Sequence, residues 1–301
     1  MSRTLFLAPL LFVPLALACA SDPPAQGDDL RASSDASART STTRRAPTVV
    51  VRDDLFPILE KAGFDGAFAL LDPATDTLTH VNTKRCDEGF SPASTFKIPL
   101  SLLALERGAV KDVDVVLPWD GVNRMIESWN KDHSMRTAFA ASAVWFYQEM
   151  ARRVGEEALL QSLVDFHYGS ESAGGRFDEF WLNGGLTISP NQQVDFLRRM
   201  HDGELPVSKT TLDATLEIME LARDDHSVLR AKTGWASPKS GPDIGWFVGM
   251  LETDGKPVYF AILLLQNDPE TEVFWKARRE LAERMLRELG HEPPKPPATG
   301  K

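Results

Sequence analysis

The chain has 301 residues, 43% hydrophobic and 25% charged, with a formal net charge of −10 and a pI near 5.2. That is ordinary globular composition, long enough to bury a full core in one large domain or two closely packed lobes. The acidic balance argues against nucleic acid or an anionic membrane surface as the main partner.

Residues 1–18 read as a secretion signal. Arg3 gives the positive start, "LFLAPLLFVPLALA" the apolar stretch, and Ala16-Leu17-Ala18 the end. The stretch is short for a membrane span, and no later segment reaches about 18 consecutive apolar residues. Cys19 follows directly and resembles a bacterial lipoprotein processing site with Cys19 as the lipidated first mature residue, although Ala16 stands where such sites usually carry leucine. An ordinary signal peptide is the alternative. Either way the mature protein is expected outside the cytoplasm, in the bacterial envelope (periplasm). Cys86 is then without a disulfide partner.

Residues 19–48 read as a disordered tether, because from 20 on "ASDPPAQGDDLRASSDASARTSTTRRAPT" offers a single leucine to any core. The folded part is expected over 49–291, with 292–301 a flexible tail. Within it, 66–82 reads as two strands joined by a turn, and an apolar helix follows over 94–107. Helices are then expected over 138–154, 156–165, 190–201 and 208–222, and strands over 228–235, 244–252 and 257–265. The last strand, "VYFAILLLQ", is apolar on both faces, as a central covered strand would be. An amphipathic helix over 272–289 closes the chain, with Val273, Ala277, Leu281, Met285 and Leu289 on one side. The sum is an α+β fold: an antiparallel sheet flanked by terminal helices, with an inserted helical lobe and a cleft between the two.

The helix at 94 opens on Ser94 and Lys97, three apart and so on one face of its first turn. A serine hydroxyl is a poor nucleophile that needs a base within hydrogen-bond reach. A lysine in water is protonated, but burial can lower its pKa by up to about 3–5 units. Phe96, Val144 and Trp181 are candidates to line such a pocket. Ser-x-x-Lys alone is weak, since roughly one occurs by chance in a chain this long, and Ser128-Trp-Asn-Lys131 is a decoy. Ser142-Ala-Val144 is equally weak by itself. Lys232-Thr-Gly234 occurs once, and in the order Ser-x-x-Lys, Ser-x-Val, Lys-Thr-Gly the three sharpen one another.

The longer strings go further. "PASTFKIPLSLLALERGAV" (92–110), "WDG" (119–121), "SWNKDHSMRTAFAASAVWFYQEMARRVG" (128–155), "GRFDEFWLNGGLTISPNQQVDFLRRM" (175–200), "AKTGW" (231–235) and "GWFVGM" (245–250) make the chain resemble the class D (oxacillinase-type) serine β-lactamases over residues 50–290. The resemblance implies the fold of serine β-lactamases and penicillin-binding transpeptidases, and hydrolysis of penicillin-like rings through an acyl-enzyme on Ser94. It implies that Lys97 becomes N6-carboxylysine, formed with CO2 or bicarbonate and serving as general base, with Trp181 donating to it. It assigns the oxyanion hole to the N–H groups of Ser94 and Trp235, proton delivery to Ser142, and substrate binding to Lys232, Thr233, Gly234 and Arg278. Lys276 and Arg279 lie close enough to rival Arg278. One departure stands out, because Tyr168-Gly169-Ser170 replaces the family's usual Tyr-Gly-Asn, which implies altered rate or loop order rather than loss of activity. A β-lactam sensor that is acylated without turnover, a D-Ala-D-Ala peptidase, and an envelope lipoprotein with a decayed site are the alternatives. Trp119, Trp129, Trp145 and Trp246 are assigned to packing, and Asp132-His133 to structure. The six histidines show no ligand pairing, so no metal is expected.

Overall fold

A computed structural model describes residues 45–183, 185–267 and 269–295. The secretion signal, Cys19 and the tether up to residue 44 lie outside the described residues, as does the tail from 296. Strand β1 (Thr48–Val51) leads through a 3-10 turn and helix α1 (Pro57–Lys61) to the hairpin β2 (Asp65–Asp72) and β3 (Thr77–Val81). After α2 (Thr83–Asp87) come a 3-10 turn at Ala93–Phe96 and α3 (Lys97–Glu106). The lobe continues with α4 (Met135–Ala141), α5 (Val144–Val154), α6 (Glu156–Asp165), α7 (Pro190–His201) and α8 (Lys209–Ile218). The chain then returns to the sheet as β4 (Glu220–Arg223), β5 (Ser227–Ala236), β6 (Asp243–Thr253) and β7 (Lys256–Gln266), and ends in α9 (Thr271–Glu288).

The strands form one sheet in the order β1-β3-β2-β7-β6-β5-β4. Its neighbours are antiparallel except at one edge, where β1 runs parallel to β3 from Thr48 beside Thr77 to Val51 beside His80. The expected antiparallel sheet is therefore a mixed one. The path from β1 through α1 crosses over β3 before β2 begins, which puts β1 and β3 in the same direction. In β7 the apolar run alternates between two cores. Tyr259, Ala261, Leu263 and Leu265 face the helical lobe, while Val258, Phe260, Ile262 and Leu264 face the side covered by α9. Period-two alternation with apolar residues on both sides is what a doubly covered strand requires.

Three expected elements shift. The helix predicted over 138–154 is two helices, broken at Ser142, whose φ is +57°. The helix predicted to 222 ends at Ile218, and the edge strand β4 takes the rest. In α9 the buried stripe is Phe274, Ala277, Arg278, Leu281, Ala282, Met285 and Leu286, so Val273 and Leu289 fall to its flank. Helix starts are fixed locally: Ser134 with Thr137 and Ser189 with Gln192 form reciprocal capping boxes on α4 and α7.

Candidate active site

Where β5 meets the lobe, a cleft of about 390 Å³ is bordered by Ser94, Ile126, Trp129, Ser142, Val144, Leu182, Thr233, Trp235, Trp275 and Arg278, among others. Ser94 sits in the 3-10 turn ahead of α3 and makes no capping bond, which leaves its hydroxyl available to the cleft. The 3-10 turn carries Ser94 and Lys97 to the same side, and Lys97 Nζ donates to Ser94 Oγ at 2.9 Å.

Lys97 is fully buried and has no ion-pair partner among the described residues. Loss of hydration pulls its ammonium down to about 7, so a large share of the amine is neutral near neutral pH. The pocket around it is aromatic. Phe96 stacks on Trp181 at 5.2 Å and meets Phe180 and Tyr168 edge-on. Nζ lies 5.2 Å from the centre of the Tyr147 ring, whose hydroxyl bonds Ser101 at 2.8 Å. Of the predicted lining, Phe96 and Trp181 lie in this buried layer, whereas Val144 borders the open cleft. The Trp181 indole N–H is buried with no acceptor among the described residues. A partly neutral buried amine and a buried indole N–H with no acceptor among the described residues fit a carboxylate formed on Lys97 from carbon dioxide.

Ser142 lies at the break between α4 and α5, with backbone in the left-handed region. A serine there adopts a sparsely populated conformation that turns its side chain out of the helix ladder. On the facing wall, β5 presents Lys232, Thr233, Gly234 and Trp235 in sequence. Lys232 is buried and bonds the Thr233 carbonyl at 3.1 Å and hydroxyl at 3.3 Å. Burial first, then repulsion from Lys97 and Arg278, holds its ammonium well below the usual lysine range. Gly234 packs closely: a Cβ there would lie 3.0 Å from the Pro92 carbonyl oxygen and 3.1 Å from Thr95 Cγ2, so the turn that carries Ser94 would have to give by a few tenths of an ångström.

Arg278 is the cation of α9 that reaches the cleft. It is buried, its Nη1 donates to the Gly234 carbonyl at 2.7 Å, and burial lowers it to about 10. Lys276 is exposed and Arg279 pairs with Glu283, so neither rival borders the site. Lys232 lies close enough to Lys97 and Arg278 to feel both, Arg278 borders the cleft, and no carboxylate among the described residues lines it. The arrangement favours an anionic ligand.

Sequence reasoning missed several lining residues. Trp129, assigned to packing, borders the cleft, as do Leu182 and Trp275. The one signal for Trp275 was its place three residues before Arg278, one turn away. Asp132-His133 is structural as read: Asp132 accepts from the Trp119 N–H and His133 bonds the Ser128 carbonyl. At the departure from the family pattern, the Ser170 hydroxyl accepts from the Thr187 N–H at 3.2 Å and donates to the Ser172 carbonyl at 3.3 Å. The short side chain therefore still ties the two ends of the 170–187 segment.

Residues 66–287 match the family described as penicillin binding protein transpeptidase domain. The chain is 44% identical to beta-lactamase OXA-48 of Klebsiella pneumoniae over 181 residues, covering 60% of this chain and 68% of that protein. Its fold is similar to a class D beta-lactamase from Sebaldella termitidis, with TM-score 0.77 and 32% identity over 81% of this chain and 98% of that one. It is also similar to the C-terminal domain of the Bacillus licheniformis BlaR penicillin-receptor, with TM-score 0.78 and 29% identity over 83% of this chain and 100% of that one.

Proposed function

The chain belongs to the class D β-lactamases of the penicillin-binding transpeptidase family, and on that premise we propose that it hydrolyses the ring of penicillin-like β-lactams through an acyl-enzyme on Ser94. One observation carries the reading: a fully buried, unpaired amine bonded at 2.9 Å to the hydroxyl that borders the cleft.

Ser94 Oγ attacks the lactam carbonyl carbon, and the ring C–N bond breaks as the acyl group passes to Ser94. With its ammonium lowered to about 7 by burial, the neutral share of Lys97 takes the Ser94 proton. The N–H groups of Ser94 and Trp235 are assigned to the carbonyl oxygen as it becomes negative, each such donor contributing about 3 kcal/mol. Ser142 passes a proton to the departing ring nitrogen. Thr233 and the Arg278 fork hold the substrate carboxylate, with Lys232 adding positive field and Gly234 giving room. Water then attacks the ester, its proton goes to the Lys97 end, and Ser94 leaves. Carbon dioxide, when bound to the Lys97 amine, supplies a carboxylate base there, and Trp181 is the donor assigned to hold it. No metal enters this scheme.

Turnover of nitrocefin and benzylpenicillin, with and without added bicarbonate, tests the proposal. Many turnovers per enzyme, lost in CO2-depleted buffer and restored by bicarbonate, are expected. The likeness to the BlaR receptor domain favours a second reading, a sensor acylated once. An adduct on Ser94 that persists for hours by intact mass would support that reading instead. We further infer export to the periplasm from residues 1–18 and a lipid tether on Cys19. Palmitate labelling that disappears in Cys19→Ala is the expected result.

A further inference from the structure

The cleft has an aromatic side that the scheme above does not use. Trp235 and Trp275 both border it, half-buried, with ring centroids 5.6 Å apart at an interplanar angle of 71°. Trp235 sits on β5 and Trp275 at the start of the second turn of α9, so the pair joins the sheet to the helix that carries Arg278. Arg278 Nε donates to the Trp275 carbonyl at 3.3 Å, which ties the indole's backbone to the guanidinium. The Trp235 ring is fixed from behind. Its Nε1–H donates to Asp243 Oδ2 at 2.7 Å, and Asp243 Oδ1 accepts from the Ser237 hydroxyl at 2.6 Å. Asp243 begins β6, while Trp235 lies at the end of β5 and Ser237 directly after it, so one carboxylate bridges both legs of the hairpin.

Two half-covered indoles in an edge-to-face pair, one of them pinned by a carboxylate, make a preorganised apolar surface. A fused β-lactam whose carboxylate lies on Arg278 must place its second ring beside that surface. In a cephalosporin the substituent next to the carboxylate-bearing carbon is the one on C3. Arg278, the cation that borders the cleft, disfavours a positively charged group there.

Resting on the hydrolase reading, we propose that Trp235 and Trp275 form a specificity subsite for the C3 substituent of cephalosporins, selecting flat, uncharged aromatic groups. Asp243 is its positioning residue, holding the Trp235 indole in register with Trp275. Neither the two indole rings nor the Asp243 carboxylate acts on the reacting bond, which meets Trp235 only through its backbone N–H.

The experiment compares two cephalosporins with the same acyl side chain, one with a 3-methyl and one with a neutral 3-styryl group. Acylation of Ser94 is followed by stopped-flow mass analysis and turnover by steady-state kinetics. The apparent dissociation constant governing acylation is expected to be about five- to tenfold lower for the styryl compound in the native chain. That ratio falls to within twofold of unity in Trp275→Leu and is partly kept in Trp275→Phe. Asp243→Ala lowers the ratio and Asp243→Asn, which keeps an acceptor for the indole, restores it, with melting temperatures reported for every variant. A ratio that stays unchanged in Trp275→Leu, or that Asp243→Asn fails to restore, overturns the proposal. If both compounds acylate but neither turns over, the hydrolase reading fails while the acylation ratio still decides the subsite.

Discussion

Gly245 and Arg278 occupy space that a single extra carbon would contest. A Cβ on Gly245 would lie 3.1 Å from Arg278 Cδ and 2.7 Å from Phe274 Cζ. Real side chains do not tolerate the second contact, and Phe274 is fully buried, so α9 itself would have to lift off β6. Arg278 would then lose its 2.7 Å bond to the Gly234 carbonyl. Gly245→Ala is therefore expected to raise KM for penicillins by about tenfold or more, with a smaller change in kcat, and to cost about 1–3 kcal/mol of stability. Steady-state kinetics with a denaturant titration checks it, and an unaltered KM would detach Arg278 from substrate binding.

Lys97 makes a stability prediction with a definite sign. Its folded pKa, about 7, lies below the ordinary value near 10.4. Between those values the unfolded chain holds a proton that the folded chain has released, so this lysine's contribution to stability improves as pH rises through that window. At pH 7 and below the burden is near its full size, up to about 4 kcal/mol. Lys97→Met in CO2-free buffer is expected to melt about 5 °C or more higher at pH 7, an advantage that shrinks towards pH 10, while turnover is abolished. Calorimetry at both pH values is the check, and equal gains at the two would mean that the amine is not held uncharged.

The parts of the site that the sequence made legible are those where chemistry and spacing coincide. Ser94 and Lys97 are three apart on a turn, and their bond at 2.9 Å follows from that offset. The doubly apolar β7 announced a covered central strand. Ser142 was placed on the right segment but in the wrong geometry, because Ala141-Ser142-Ala143 carries no glycine or proline to signal a helix break. The edge strand β1 was missed because four residues, Thr48–Val51, abut a polar tether and pair across a parallel crossover. The choice of Arg278 over Lys276 and Arg279 depends on which side of α9 faces the hole left at Gly245, a packing fact with no local signature. Trp129 and Trp275 could not be told from core aromatics, since tryptophan looks the same in sequence whether its ring faces a core or a cleft.

Trp181 offers a way to separate the carbon dioxide requirement from simple packing. Its ring stacks on Phe96 at 5.2 Å, while its N–H has no acceptor among the described residues. Trp181→Phe removes the donor and keeps an aromatic body, so the pocket stays dry. The variant is expected to hold its melting temperature within a few degrees and to need at least about tenfold more bicarbonate for half-maximal turnover. Titration of rate against bicarbonate measures this directly. A bicarbonate requirement equal to that of the native chain would leave the indole N–H without a part in holding the modified lysine.

Gly169 and Ser170 predict opposite outcomes from neighbouring substitutions. Gly169 has φ +60°, and a Cβ there would lie 2.2 Å from the Thr187 carbonyl oxygen, which also accepts the Ser170 N–H at 2.8 Å. Gly169→Ala therefore combines left-handed backbone with a backbone collision, and the 170–187 segment that carries Trp181 and Leu182 must move. A loss of about 2–4 kcal/mol and a fall in deacylation of at least about 100-fold are expected. Ser170→Ala removes only an exposed hydroxyl with bonds of 3.2 and 3.3 Å, which should cost no more than about 1 kcal/mol and change turnover by less than about threefold. Melting curves with single-turnover deacylation rates distinguish the two. If Ser170→Ala proves as damaging as Gly169→Ala, then the hydroxyl, rather than the backbone path through Gly169, is what keeps the Trp181 segment in place.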